Sequence, residues 1–435
     1  MQRLVIKGGR VVDPASGIDA LCNIYIMGGR IASVKAAKDD ETELIPGAPG
    51  LEIIDAAGLV VMPGLVDLHT HLREPGFEYK ETIQTGAEAA AAGGFTTILC
   101  MANTRPVNDN QSVTSYIVNK AKGALVNVLP VGAVTVGLKG ERLTEAAELK
   151  DAGCVALSDD GMPIVKSGLM RRALEYSKAL DLTIISHAED MELAGKGVMN
   201  EGAVSTRLGL KGIPNAAEEA VIARDIRLAE LTKGRLHIAH VSTRGSVELI
   251  RSAKKAGVTV TAEATPHHLT LTDEAAAGYD TNAKMNPPLR AKVDVDCLRQ
   301  ALKDGTIDVV ATDHAPQSVM EKDVEFDRAA NGIVGLETAF SLVYGLVEEG
   351  VLTFNELVKV MSLNPSKVMS LDKGTLRVGA SADIAIADLD AEWTVDPSTL
   401  KSKSKNTPYA GKAMKGKIVK TIVGGKIVFD CLKEA

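Results

Sequence analysis

Two histidines separated by one residue, His69 and His71, close an apolar run that begins at Val60. On an extended strand that spacing sends both imidazoles to the same side, where they can share one metal ion. Arg73 follows two residues later, just before Pro75-Gly76, so the same stretch also delivers a guanidinium where the chain turns. Four more short motifs carry related chemistry: Ser158-Asp159-Asp160-Gly161, His187-Ala188-Glu189-Asp190, His240-Val241-Ser242-Thr243 and Thr312-Asp313-His314-Ala315-Pro316. Taken singly, the histidine pair reads as two core residues and Asp-Asp-Gly as a turn. Together they offer four imidazoles and two carboxylates, the donor set that suits Zn²⁺ or a similar divalent ion.

Neighbouring residues divide by parity. Residues 237 and 240 have opposite parity, so if His240 faces a barrel interior, His237 faces the helices and is structural. Only one carboxylate of Asp159-Asp160 can face inward, which leaves the other to cap or bond a nearby backbone. His267 and His268, after Pro266, are assigned to the surface or to a supporting role. His314 lies off the parity of Asp313 and is expected to support it.

These motifs must stand on elements that bring them together. Strand-like runs at 65–69, 95–101, 127–133, 155–158, 183–186, 236–241, 258–262 and 308–311 alternate with helical patterns at 81–92, 143–152, 168–180, 216–231, 245–256 and 293–303. Eight strands with intervening helices over about 250 to 300 residues suit an α/β chain with a (β/α)8 TIM-type barrel, whose chemistry stands at the C-terminal ends of its strands. All five motifs lie at such ends. A doubly wound open sheet is the alternative, but no Gly-x-Gly-x-x-Gly follows a strand. Both chain ends read as short, glycine-punctuated strands, so a small composite β-sandwich domain is expected from residues 1–62 and 369–435, flanking a barrel at 63–368.

Composition narrows the class. Forty-nine Lys and Arg against 56 Asp and Glu give a net charge of −7 in 435 residues, without a long single-sign run. Nucleic-acid and anionic-membrane binding are therefore not expected. The longest uncharged stretch, 123–138, contains Asn127 and Pro130 and is too short to span a bilayer. Charges at the start of the chain, where a signal peptide needs an apolar core, make a cytoplasmic protein the expectation. The five cysteines are scattered with no Cys-x-x-Cys and are read as structural.

With Met101-Ala102-Asn103-Thr104 and Asn286-Pro287-Pro288-Leu289-Arg290 added, the motifs resemble, in order and over nearly the whole chain, those of the bacterial class I dihydroorotases of the amidohydrolase superfamily. The resemblance implies a metal-dependent barrel catalysing reversible cyclisation of N-carbamoyl-L-aspartate to L-dihydroorotate in pyrimidine synthesis. It implies two Zn²⁺ per chain, one held by His69, His71 and Asp313 and the other by His187 and His240, with Asp160 as the bridge. Two such ions would lower the pKa of a shared water, and Asp313 would act as general acid and base. Similar hydantoinases, dihydropyrimidinases and allantoinases usually bridge their metals with a carboxylated lysine, and residues 153–160 contain none. The expected partners are a small-molecule substrate and a second copy of the chain in a homodimer, with aspartate carbamoyltransferase as a candidate protein partner. Some dihydroorotase-like chains only scaffold that enzyme, but such chains typically lack several ligands, and all six are kept here.

Arg73 offers a planar fork for a substrate carboxylate, with Asn103 and Asn286 placed to complete the clamp. Gln317 stands where most class I relatives carry a histidine that helps hold substrate. Its amide donates but cannot become a cation. Residues 318–330 mix charges with little periodicity and read as a mobile loop over the mouth, with the Asn331-Gly332 backbone closing on the ring from the far side.

Overall fold

The computed structural model describes residues 3–38 and 51–431; residues 1–2, 39–50 and 432–435, including the outer ends of the expected terminal segments, lie outside it. Eight parallel strands stand side by side in chain order: β1 (Leu65–Thr70), β2 (Phe95–Cys100), β3 (Asn127–Gly132), β4 (Ala156–Ser158), β5 (Thr183–Ser186), β6 (Leu236–Ile238), β7 (Val260–Ala264) and β8 (Val309–Val310). The ring closes just past β8, where Thr70 bridges His314 and the His71 N–H donates to the His314 carbonyl at 2.8 Å. Below that point a side chain does the stitching. The buried Asp67 carboxylate accepts the Thr312 N–H at 3.1 Å and the Thr312 hydroxyl at 2.5 Å.

Alternation along the strands sorts the core. Val66, Leu68, Leu99, Met101, Val131, Ile185, Val309 and Ala311 form one cluster, which fills the barrel. Ile98, Cys100, Ile184, Leu236 and Ile238 instead join a larger cluster with helix residues such as Ile83, Leu174 and Ile250. Each fully buried aliphatic side chain in these layers contributes roughly 1.5–3 kcal/mol relative to exposure.

Helices Ile83–Ala92, Ser167–Ala179, Asn215–Thr232, Arg244–Lys255 and Lys292–Lys303 fall where the 3.6-residue patterns place them. Two others, Gln111–Ala121 and Ala339–Glu348, have no counterpart in the sequence reading. The first starts at Asn110, whose side chain accepts from the Ser112 and Val113 N–H groups. It buries only Val113, Thr114 and Ile117, too few apolar positions to show a stripe.

The terminal strands Arg3–Asp13, Ile18–Met27, Arg30–Ala36, Leu51–Asp55, Val60–Pro63, Ile384–Thr394, Ala413–Val423 and Lys426–Asp430 belong to one branched sheet. Its period of two gives it two apolar faces. Val61, Ile384, Ile386 and Ile422 meet Leu4, Ile6 and Ile24 in a core of their own, while Val60, Met62, Ala385, Ala387 and Ile418 pack into the barrel cluster. The sheet thus braces β1 directly, with only Gly64 between Val60–Pro63 and the strand that carries His69. Among the described residues no helix is long and apolar enough to cross a membrane.

Candidate active site

The strand ends converge on the Asp160 carboxylate. Its Oδ1 lies 3.3 Å from His69 Nε2, 3.5 Å from His187 Nδ1 and 3.6 Å from His240 Nε2, and its Oδ2 lies 3.4 Å from His71 Nε2. Asp313 Oδ1 stands 3.0 Å from His71 Nε2 and 3.6 Å from His69 Nε2. Two groups of donor atoms, His69-His71-Asp160 and Asp160-His187-His240, each fit within 4.8 Å, and Asp160 is common to both. The residues fit a pair of divalent ions on an independent count as well. His69 Nε2 and Asp160 Oδ1 are buried side-chain atoms without a hydrogen-bond partner, and they face each other. Such pairs of orphaned N and O donors are costly unless a cation joins them. Burial pushes the Asp160 and Asp313 carboxyls upward, but the imidazoles around them outweigh it and hold both well below the ordinary carboxylate range.

Outer groups fix the rings. His69 Nδ1 meets Glu263 Oε1 at 2.7 Å, His71 Nδ1 meets Asn103 Oδ1 at 2.9 Å, and His187 Nε2 meets Glu189 Oε2 at 3.3 Å. Each contact leaves the other ring nitrogen aimed at the carboxylates, the arrangement that orients a metal ligand. The backbone is bent to the same end: Arg73, His240 and Asp313 have φ of 62°, 31° and 47°, and the β1 register shifts between Asp67 and Thr70, where Asp67 takes the His69 N–H. Glu189 stood in the His187 motif with no role assigned, and Glu263 was not singled out at all. The expected seventh strand stopped at 262, and the available signal was a lone acid at the end of an apolar run.

The supporting residues sort differently from expectation in two places, and for His267 and His268 the structure excludes the surface half of the expectation. His237 bonds Thr261 Oγ1 at 2.9 Å and Glu263 Oε2 at 3.0 Å, so it acts on His69 through Glu263 and not merely on the helix layer. β6 ends at Ile238, so strand parity does not extend to His240. His314 does not bond Asp313. Its ring turns the other way, to Glu81 at 3.3 Å and to the Gly335 N–H at 3.1 Å. Neither His267 nor His268 is on the surface: both are 2% exposed, and His268 is held by Thr265 and the Pro287 carbonyl. Asp159 takes the backbone role, accepting the Val134 and Thr135 N–H groups at 2.8 and 2.9 Å.

Around the mouth, Arg73 Nε donates to the Pro316 carbonyl at 3.2 Å. Asn103 Nδ2 lies 3.4 Å from Asp160 Oδ2, and Asn286 Nδ2 donates to Glu189 at 2.9 Å. Gln317 is more occupied than a free substrate donor: its Oε1 accepts from Lys80 Nζ at 2.8 Å and its Nε2 donates to the Asn331 carbonyl at 2.7 Å. Lys80 also pairs with Glu321 at 2.7 Å. Gly332 has a φ of 117°, and a Cβ there would lie 2.6 Å from that of Ala315, so only glycine lets this segment press against the Asp313 turn. The stretch expected to be a mobile loop carries a short helix, Val319–Lys322, closed by a Ser318–Glu321 capping box too brief to leave a periodic trace. A cavity of about 540 Å³ opens beside it, lined by Tyr79, Gln317, Lys322, Lys403 and Asn406. Another, of about 480 Å³, lies between Glu337, Trp393 and Lys417 and is lined by none of the six clustered His and Asp residues.

Residues 58–246 match a family model described as dihydro-orotase-like. The chain is 58% identical to the dihydroorotase of Geobacter metallireducens over 427 residues, covering 98% of this chain and 99% of that protein. The dihydroorotase of Geotalea daltonii is 56% identical over 426 residues, with the same coverage. Among solved structures, the L-hydantoinase (dihydropyrimidinase) from Arthrobacter aurescens superposes with a TM-score of 0.86 at 28% identity, covering 99% of this chain and 96% of that one. A D-hydantoinase from Bacillus sp. AR9 gives 0.84 at 26%, covering 98% and 96%. The hydantoinases share the architecture, but the dihydroorotases share more than half of the residues along nearly the full length, and the chain belongs to the dihydroorotase family.

Proposed function

We propose that the chain is a dihydroorotase, interconverting N-carbamoyl-L-aspartate and L-dihydroorotate with two Zn²⁺ ions. The observation that carries this reading is the Asp160 carboxylate set between His69-His71 and His187-His240. His69, His71 and Asp313 would hold one ion, His187 and His240 the other, and Asp160 would bridge. A bound pair supplies a nucleophilic water at neutral pH and polarises the ring amide. Asp313, kept ionised by the imidazoles beside it, takes the proton of the attacking water and passes it to the departing amide nitrogen; in cyclisation it takes the ureido proton instead. Arg73, with Asn103 and Asn286, holds the carboxylate that distinguishes dihydroorotate from uncharged cyclic amides. The reconstituted protein should therefore hydrolyse dihydroorotate at least about a hundredfold faster than dihydrouracil or hydantoin, since the charge-assisted hydrogen bonds of a half-buried guanidinium to a carboxylate contribute up to roughly 3 kcal/mol. Faster turnover of an uncharged ring would overturn the assignment.

Gln317 contributes to binding as a neutral donor. Lys80 and Asn331 fix its amide, leaving one Nε2 hydrogen for the substrate. Gln317→Ala should raise KM about fivefold, roughly 1 kcal/mol, with little change in kcat. An unchanged KM would make the residue a bystander.

A further inference from the structure

Lys322, at the end of the short helix beside the mouth, is 6% exposed. Its ammonium has no carboxylate within ion-pair distance among the described residues. Nζ donates instead to three backbone carbonyls, Thr281 at 2.8 Å, Ala330 at 2.8 Å and Lys284 at 3.1 Å. Three N–H groups meet three acceptors, which only a lysine ammonium supplies from a single atom. The three carbonyls belong to two separate segments, the turn at 281–284 and the return of the strap at 330. The contacts are reciprocal and continuous with the substrate groups: Thr281 Oγ1 donates to the Lys322 carbonyl at 2.6 Å, and the Lys284 carbonyl that accepts from Lys322 also accepts the Gly332 N–H at 3.0 Å. Ala330 N–H donates to the Glu321 carbonyl at 3.0 Å, and the Asn331 carbonyl takes the Gln317 amide.

We infer that Lys322 is a positioning residue, whose ammonium clamps the 318–332 strap to the 281–284 turn and so sets where Gln317 and the Asn331-Gly332 backbone meet the substrate. The burial of a cation among carbonyls is the reason this is a clamp and not a surface tie. Burial draws the Lys322 pKa down to about 7, so the charged form is held only while all its hydrogens are bonded, and removing any arm of the cage loosens the others. Lys322 touches no metal-type donor, and its loss leaves Asp160, Asp313 and the four imidazoles in place. Its effect is confined to substrate binding and to the strap.

The inference rests on reading this mouth as the dihydroorotate site, and two measurements on the zinc-loaded protein separate them. Lys322→Met keeps most of the side-chain length, one atom short, without the donors. It should raise KM for dihydroorotate at least tenfold with kcat within about threefold, retain wild-type zinc content, and be cut by endoproteinase Glu-C between 318 and 330 at least tenfold faster. Lys322→Gln, with two donors, should fall between the two. If the methionine variant does not fold, the glutamine variant gives the same comparison, and slow amide exchange at 321–323 and 329–330 of the wild type reads the clamp directly. Wild-type KM and wild-type proteolysis in a folded variant would overturn the inference, as would faster proteolysis with unchanged KM, since the strap would then position nothing. A wild-type protein that fails to hydrolyse dihydroorotate sinks the functional reading, while the proteolysis arm still reports on the clamp.

Discussion

Asp160→Ala is expected to abolish activity and to strip the proposed metal pair, and added zinc is not expected to restore either. Among the described residues Asp160 is the one carboxylate within reach of all four imidazoles, through Oδ1 to His69, His187 and His240 and through Oδ2 to His71. Two divalent ions about 3.5 to 4 Å apart repel strongly unless an anion lies between them. Without the carboxylate, the ring nitrogens of His187 and His240, 2.9 Å apart, and those of His69 and His71 face each other with only Asp313 nearby. The loss in kcat/KM should reach at least about 10⁴-fold, the scale on which removal of a whole catalytic unit is felt. Because residues 153–160 hold no lysine to carboxylate, activity of the wild type should also survive removal of bicarbonate and CO₂ before metal loading. Two equivalents of zinc in the alanine variant, or a strict bicarbonate requirement in the wild type, would remove Asp160 from the bridging position.

The parts of this centre that could be read from sequence are those where residue type alone limits the options. Histidines and acids directly after apolar runs are legible because strands end where polarity begins, and His69, His71, Asp160, His187, His240 and Asp313 all stand at such ends. What parity could not give was the geometry beyond the last strand residue: His240 and Asp313 sit in left-handed turns, and His314 consequently bonds Glu81 and Gly335 instead of its neighbour. Glu263 and Glu189 were missed for a different reason. Glu263 contacts histidines distant in sequence, a pairing no local pattern encodes, and Glu189, two residues past His187, reaches the ring nitrogen that faces away from Asp160. The helix Gln111–Ala121 was illegible because its buried face is three residues wide and one of them is Thr114, and the strap at 318–332 because its order comes from one lysine and a capping box, not from periodicity.

Glu263→Gln should produce the second large effect, of a different kind: metal affinity weakens about 10- to 100-fold, yet excess zinc brings kcat back to within about tenfold of wild type. Glu263 is wholly buried, with Oε1 on His69 Nδ1, Oε2 on His237 Nε2, and the His240 N–H 3.3 Å from Oε1. Burial alone would push its carboxyl up, but His237 and His69 bring it down to about 2, so it is an anion in the folded protein. As an anion it accepts from Nδ1 of His69, which fixes the tautomer that leaves Nε2 free and raises its basicity toward a metal. Glutamine keeps the shape but carries no charge and presents a donor to one of the two rings, so either His69 or His237 must change tautomer or lose its bond. The imidazoles, Asp160 and Asp313 all remain, which is why occupancy should suffer while chemistry on the loaded enzyme is largely preserved. His237→Ala, which reaches His69 only through Glu263, should give the same pattern at smaller amplitude. Zinc titrations of the apoprotein separate the outcomes: an unchanged dissociation constant in Glu263→Gln would show that the carboxylate merely fills space, and a kcat that zinc cannot recover would place Glu263 in the chemistry itself.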